Sequence, residues 1–413
     1  MKENEENIMF NKIIIFSLAL IPLATQFIFH WPGISEGIRI PKEIISIISL
    51  SLITIAGFSL YPIKRAFNKY FFWFFGWCAG TLFLSNYPIP LYLPNCVVSL
   101  PSEMVAFKSL FYILLALFSI QAIHSSDINL RTISRTISIV CLVMCGYTLL
   151  QLLGLDEWFR VADPGTGWTG KSIWDNIPQQ AGHYSRRLVG TVGNPSILGI
   201  FLSLCIPFSL FLKDRLGRIS AICSVIVIFL TLSLTAIVSC IMSLLFILFY
   251  KNRRLAVGLF IVLSLSGAGF LQLPRAKFML NPTGRIEVLK ESFNLLNKKA
   301  ITGYGLDSFQ YLIGQNPEIV RRLHNENWKE AHNEYFQVWF ETGIIGLILL
   351  LMGIFGVYKK FLQNIREETI YLMASLAVFL LVCLTYFPMR LSPLSFYGVI
   401  ILGLLTNKME VVK

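Results

Sequence analysis

KDRLGRISAICSVIVIFLTLSLTAIVSCIMSLLFILFYKNRR, residues 213–254, is the stretch whose reading sets the topology of the whole chain. Its apolar part, 219–250, is long for one membrane-crossing helix and short for two, because about twenty residues cross ~30 Å of hydrocarbon. The flanks decide. Lys213-Asp-Arg-Leu-Gly-Arg218 precedes it and Lys251-Asn-Arg-Arg254 follows it. Short basic loops belong on the cytoplasmic side, so the number of crossings between them is even. The stretch is therefore a tight hairpin, with its turn expected near Leu234-Thr235.

Working outward, further apolar runs of similar length lie at 13–29, 44–60, 105–123 and 188–212. The chain of 413 residues is 55% hydrophobic and only 14% charged, with a mean hydropathy of +0.66. Soluble globular chains carry about 25% charged residues, so this one is too apolar for water. A membrane barrel would alternate apolar and polar residues in segments of about ten; these runs do not. The expectation is an all-α membrane protein, a single polytopic domain over 1–413. Its expected spans are 10–30, 40–61, 70–86, 103–123, 136–153, 188–212, 219–233, 236–250, 255–273, 336–357, 369–387 and 394–407.

The positions of the short-loop charges agree with this topology. Lys64-Arg65, Arg131 with Arg135, and Lys359-Lys360 fall inside, whereas 85–101, without Lys or Arg, falls outside. About twelve spans result, with both termini in the cytoplasm and two long outer loops, 154–187 and 274–335. The second outer loop is basic, but loops of about sixty residues largely escape the charge rule. The net charge of +12 thus reads as a topology signal, and no nucleic-acid partner is expected. Seven of the eight cysteines lie in apolar runs, where Cys acts as a small hydrophobe. Cys96 stands alone in an outer loop. Neither a disulfide nor a structural zinc site is expected.

Chemistry gathers in the outer loops. Arg187 is the last charge before the sixth span, and Gly190, Gly193, Asn194 and Pro195 follow. A span opening of that kind frees backbone groups, which lipid forbids unless they face protein or a water-filled cavity; a polar cavity is expected there. In the second loop Ile286, Leu289, Phe293 and Leu296 recur at helical spacing, with Glu287, Lys290, Glu291 and Asn294 on the other face. Arg285 then stands at a helix N-terminus, a place that suits anions. A cation there is best explained by an anionic ligand bound nearby. Gly303-Tyr-Gly305 forms a turn where backbone can approach a ligand closely. His332 sits at the outer mouth of the next span, where imidazole can exchange protons.

At these residues the chain resembles the O-antigen ligase and O-antigen polymerase family of bacterial polysaccharide assembly. The matching stretches are Arg187-Leu-Val-Gly-Thr-Val-Gly-Asn-Pro195, Gly284-Arg285, Gly303-Tyr-Gly305 and His332-Asn-Glu-Tyr-Phe-Gln-Val-Trp-Phe-Glu-Thr-Gly-Ile-Ile-Gly346. The hydropathy profile is similar over nearly the whole chain. Three features depart from the pattern. Ser196 replaces a second Asn, a Ser-Arg pair is absent from 231–235, and a Pro is missing around Ala300-Ile301.

The resemblance implies a GT-C-like glycosyltransferase of the bacterial inner membrane, with amphipathic helices in its large periplasmic loop. It would move a glycan from undecaprenyl pyrophosphate to an acceptor hydroxyl at the periplasmic face, without cofactor or metal. Carried over by motif, Arg187 and Arg285 would grip the pyrophosphate and His332 would orient or deprotonate the acceptor. Arg186, Gly190, Asn194, Gly303, Gly305 and Asn333 would line the substrates. The expected partners are the lipid-linked donor, lipid A-core or another glycan or protein acceptor, and membrane lipids. Because a sugar–pyrophosphate bond already has a good leaving group, preorganised arginines that stabilise the departing charge suffice. No Asp-x-Asp occurs in the chain to hold a metal. Polymerase and protein O-oligosaccharyltransferase share donor and motif and differ in acceptor; placing Arg285 and His332 in one long loop favours a ligase. A polysaccharide transporter or flippase is the non-enzymatic alternative, disfavoured by the scarcity of ionisable residues inside the spans.

Overall fold

Long runs dominated by Leu, Ile and Phe have one way to satisfy their backbone in lipid, the α-helix, and helices dominate the structure. A computed structural model describes residues 2–24, 39–62, 69–84, 89–93, 96–100, 102–153, 155, 188–271, 285–314, 316–323 and 328–410. The helices are α1 (Lys2–Leu23), α2 (Arg39–Leu60), α3 (Lys69–Leu84), α4 (Ser102–Ser125), α5 (Leu130–Leu152), α6 (Pro195–Leu212), α7 (Arg215–Leu230) and α8 (Leu234–Lys251). They continue as α9 (Arg253–Leu271), α10 (Arg285–Leu296), α11 (Pro317–Arg322), α12 (Glu334–Gln363), α13 (Glu367–Val382) and α14 (Ser392–Lys408).

Among the described residues, helices cover most of each run predicted to cross the membrane. Among the described residues six helical stretches are long and apolar enough to do so, including Pro195–Leu212, Leu234–Lys251 and Glu334–Gln363. The protein is a multi-pass membrane protein. One element was not anticipated. The segment after α3 forms an antiparallel hairpin, β1 (Ile89–Leu93) and β2 (Cys96–Leu100), in the register Ile89 to Leu100 through Leu93 to Cys96.

The centre of the bundle is α6, which packs against α5, α7, α8 and α13. Small residues let these helices approach, the usual way of packing where lipid removes the hydrophobic drive between helices. A Cβ on Gly199 would lie 2.6 Å from the Cβ of Ala236, and Ser203 Oγ donates to Ala236 O at 3.0 Å. Ser138, Ser209 and Ser220 link α5, α6 and α7 through hydroxyl contacts of 3.0 and 3.1 Å. A second group, α1, α2, α4 and α14, packs alongside, and α3 lies against α12.

The hairpin expected from 213–254 is present, but its turn is at 231–233 rather than at Leu234-Thr235. Thr231 causes the earlier stop: its hydroxyl donates to Ile228 O and accepts from Ser233 N. Leu232 completes the reversal in the left-handed region, at φ 53°.

Contacts sort the loops onto two ends. At one end Asp214 meets Arg135, Lys213 meets Glu367 and Lys408 meets Glu368. Lys251 Nζ donates to Tyr371 there, and Asn407 Nδ2 donates to His124 O and Ser126 O. The basic loops at 213–218 and 251–254 share this end. At the other end the α7–α8 turn meets the exit of α13 (Thr235 to Thr385, 3.3 Å), and α10 and the start of α12 lie there too. Residues 285–333 carry a small core of their own, in which Val288, Leu296, Phe309, Ile313 and Trp328 pack onto Phe340 of α12.

Candidate active site

Arg285 is the first residue of α10, the helix N-terminus that the sequence predicts. Its Nη1 donates to Thr385 O at 3.3 Å. Thr385 lies in the link between α13 and α14, and the next two residues form a wall against His332. The imidazole lies edge-on to the rings of Tyr386 (5.5 Å), Phe387 (4.9 Å) and Trp328 (5.3 Å). Two residues 47 positions apart in sequence thus meet across one short segment.

His332 is held firmly. Its backbone is left-handed, at φ 51°, an uncommon state for a residue with a Cβ, and both neighbours are pinned. Ala331 N donates to Gln337 Oε1 at 2.9 Å. Asn333 caps α12 by accepting from Phe336 N at 3.0 Å, and Glu334 N donates to Cys383 O. The ring's Nδ1 is buried without a hydrogen-bond partner. Burial first, and the nearby Arg285 guanidinium second, push the imidazolium down to about 3. At neutral pH the ring is neutral, so one of its nitrogens carries a free lone pair.

Gly303 and Gly305 are tightly placed, but against protein. Tyr304 N donates to Phe340 O at 3.0 Å, Gly305 N to Glu341 O at 2.8 Å and Ile344 N to Ala300 O at 2.9 Å. These bonds splice the loop into a break in α12 at Gly343, where φ is 71° and ψ 178°. A Cβ on Gly303 would lie 2.4 Å from Glu341 O, and one on Gly343 would lie 2.0 Å from Ile301 O. The close approach read from Gly-Tyr-Gly is therefore to the broken helix.

A similar correction applies to the opening of α6. The helix starts at Pro195, not at 188, and the residues before it form a 3₁₀ turn, Gly190–Val192. Its backbone is satisfied by protein. Gln151 Oε1 accepts from Val189 N and Gly190 N at 2.9 and 3.1 Å, while Asn194 caps α6 by accepting from Ser196 N and Ile197 N. Gly190 is left-handed, at φ 56°, with no room for a side chain between Leu198 and Thr148. Arg186 and Arg187 lie outside the described residues.

A cluster that sequence reasoning missed lies behind the His332 wall. Arg390, in the turn Pro388–Arg390, donates from Nη2 to Glu341 Oε2 (2.9 Å), from Nε to Glu334 Oε1 (3.2 Å) and from Nη1 to Asp307 Oδ1 (3.2 Å). Burial alone would lower its pKa, but the three carboxylates hold it charged, well above the ordinary range. The available signal was Glu341, an acid inside a predicted span, where ionisable groups are expensive and usually partnered. This cluster faces a cavity of about 700 Å³, which Tyr112, Tyr311, Gln310 and Gln337 also line.

Comparison with known proteins bears on this region. Residues 219–351 match the family model described as O-antigen ligase. That segment contains Arg285, Gly303, Gly305, His332, Asn333 and the break at Gly343, while Arg187 and Arg390 fall outside it. Two curated proteins are similar over 79 residues: a "Putative polysaccharide ligase" of Rickettsia felis, 35% identical, and one of Rickettsia conorii, 34% identical. Each match covers 18% of this chain and 19% of the relative, so the chain spans about a fifth of the length of the curated relatives it matches.

Proposed function

We propose that this protein is an O-antigen ligase-like glycosyltransferase. It moves a glycan from undecaprenyl pyrophosphate to an acceptor hydroxyl, foremost on lipid A-core, at the periplasmic face of the bacterial inner membrane. The observation that carries this reading is that Arg285 and His332, both within the segment matched by the ligase family, come together at Thr385–Phe387. Arg285, with Arg187 from the first outer loop, grips the diphosphate. As the glycosyl bond breaks, negative charge grows on the bridging oxygen, and fixed guanidinium groups stabilise it without reorganising.

His332 orients the acceptor hydroxyl and takes its proton. An imidazole at about 3 is a weak base while Arg285 is unliganded. The diphosphate offsets the smaller of the two causes, because anionic charge on Arg285 cancels the repulsion that disfavours imidazolium. Burial, the larger cause, still holds the ring neutral until the acceptor proton arrives. In the same reading the segment 274–335 is the periplasmic loop that carries the chemistry, 154–187 is the other outer loop, and both termini are cytoplasmic.

The test is reconstitution of the purified protein with a lipid-linked donor, offering lipid A-core, a second lipid-linked glycan and a pilin-like protein as rival acceptors. Transfer to lipid A-core is expected, and Arg285→Ala should abolish it while still inserting and folding. Full activity of that variant would remove Arg285 from the site. Transfer only to the second glycan or to the protein would make the enzyme a polymerase or a protein O-oligosaccharyltransferase.

A further inference from the structure

The cavity beside His332 has a composition that gripping a diphosphate does not explain. Glu334, Glu341 and Asp307 all converge on Arg390, yet one guanidinium neutralises only one carboxylate. Glu334 and Glu341 are each 1% exposed. Placing two buried carboxylates and a partly buried one around one cation costs more than burying a single pair, and acids outnumber bases in the lining even with Lys108 and Lys329 counted. Such a lining disfavours a diphosphate. It suits a ligand that brings many neutral donors, since hydroxyl groups donate strong charge-assisted hydrogen bonds to carboxylates.

The geometry points to a saccharide subsite, and we propose that it holds the sugar of the acceptor that bears the reacting hydroxyl. This rests on the glycan-transfer reading above. Asp307 is the residue best placed to read the sugar. It occupies the left-handed region at φ 61° and contributes Oδ1 to Arg390 at 3.2 Å. Tyr311 lies one helical turn further on and lines the same cavity; burial and the Asp307 charge raise its phenol pKa, so it stays a hydroxyl donor and acceptor. Gln310 and Gln337 add amide groups. At about 700 Å³ the space falls within the ~300–1,000 Å³ of ordinary ligand sites. Its wall adjoins the His332 segment along the chain, since Glu334 follows His332 by two residues and Arg390 follows Phe387 by three. A sugar seated on the carboxylates would offer one hydroxyl to the imidazole while the donor diphosphate stays on Arg285.

The experiment has two arms on the reconstituted full-length protein. Two-substrate kinetics of Asp307→Asn and Tyr311→Phe should raise the acceptor KM roughly tenfold, the loss expected for a hydrogen bond to a charged group, with donor KM within twofold of the parent. A rise in donor KM instead, or no change in either, would overturn the assignment. The second arm needs no turnover. Deacylated core oligosaccharide is titrated into detergent-solubilised protein by calorimetry, with binding expected for the parent and for Arg285→Ala, and weakened about tenfold in Asp307→Asn. Binding unaffected by Asp307→Asn, or no binding, overturns the subsite. Binding without any transfer by the parent overturns the enzymatic reading alone. Unchanged thermal unfolding of Asp307→Asn is the control that separates lost recognition from a loosened fold.

Discussion

His332 is the residue whose environment most constrains the chemistry. Its imidazolium is pushed down to about 3 by burial and by Arg285, against ~6.5 in an unfolded chain. Between those values the unfolded state binds a proton that the native state refuses. The stability contributed by the neutral ring is complete above about pH 6.5 and is lost progressively as pH falls towards 3. Unfolding midpoints measured from pH 7.5 to 4 should therefore fall, and His332→Gln should flatten that dependence; an unchanged slope would contradict the assignment. In catalysis the same variant should lose about 10²–10⁴-fold in kcat, the span of general acid–base contributions. Arginines performing a metal's task also predict that EDTA leaves turnover intact, whereas inhibition reversed by Mg²⁺ would contradict it. The types of these residues were legible in the sequence, since Arg285 at a helix start and His332 at a span mouth are local facts. That Tyr386 and Phe387 enclose the imidazole was not legible, because those contacts join segments far apart along the chain.

At the level of elements, the break in α12 is the device that positions the site. Gly343 leaves the helical region, and residues 300–305 fill the gap with three backbone hydrogen bonds. The splice ties the loop that carries Arg285 to the helix that begins beside His332. Gly343→Ala combines a φ of 71° with a Cβ placed 2.0 Å from Ile301 O, backbone that cannot yield cheaply. A loss of about 3 kcal/mol or more is expected, from strain and displaced backbone together. Gly146→Ala, whose Cβ would meet nothing within 4 Å, serves as the comparison. Midpoints of thermal unfolding in detergent check the pair, and equal values would remove the splice as a structural constraint. Gly-Tyr-Gly announced a close approach but could not name its partner. The amphipathic reading of α10 was half right for a similar reason. Val288, Ser292 and Leu296 are buried, whereas Ile286 and Phe293, expected on the inner face, are 62% and 44% exposed. Ser292 is polar and so did not signal the core, yet its hydroxyl is satisfied by Val288 O at 2.7 Å and the helix can turn that face inward. Phe293 instead meets the edge of Trp339 at 6.1 Å.

At the scale of the molecule, charge and contact give one consistent polarity. The short basic loops at 213–218 and 251–254 were placed on one side by their composition. In the structure their residues touch the start of α5 and the start of α13. Arg285, Thr385 and the turn between α7 and α8 gather at the opposite end. The long apolar helices were legible because lipid imposes length and composition on every crossing. The hairpin β1–β2 was not, since a short loop outside the bilayer faces no such demand. This polarity makes a sharp demand on topology, because a lipid-linked glycan donor presented in the periplasm reaches Arg285 only if α10 lies on that side. Single cysteines at Asn294→Cys, on the outer face of α10, and at Lys359→Cys, near the end of α12, probe the two ends in a background with the native cysteines replaced. A membrane-impermeant maleimide added to spheroplasts should label the first and spare the second until the membrane is opened. Labelling in the reverse order would put the guanidinium and the imidazole in the cytosol, where a donor held in the outer leaflet cannot meet them.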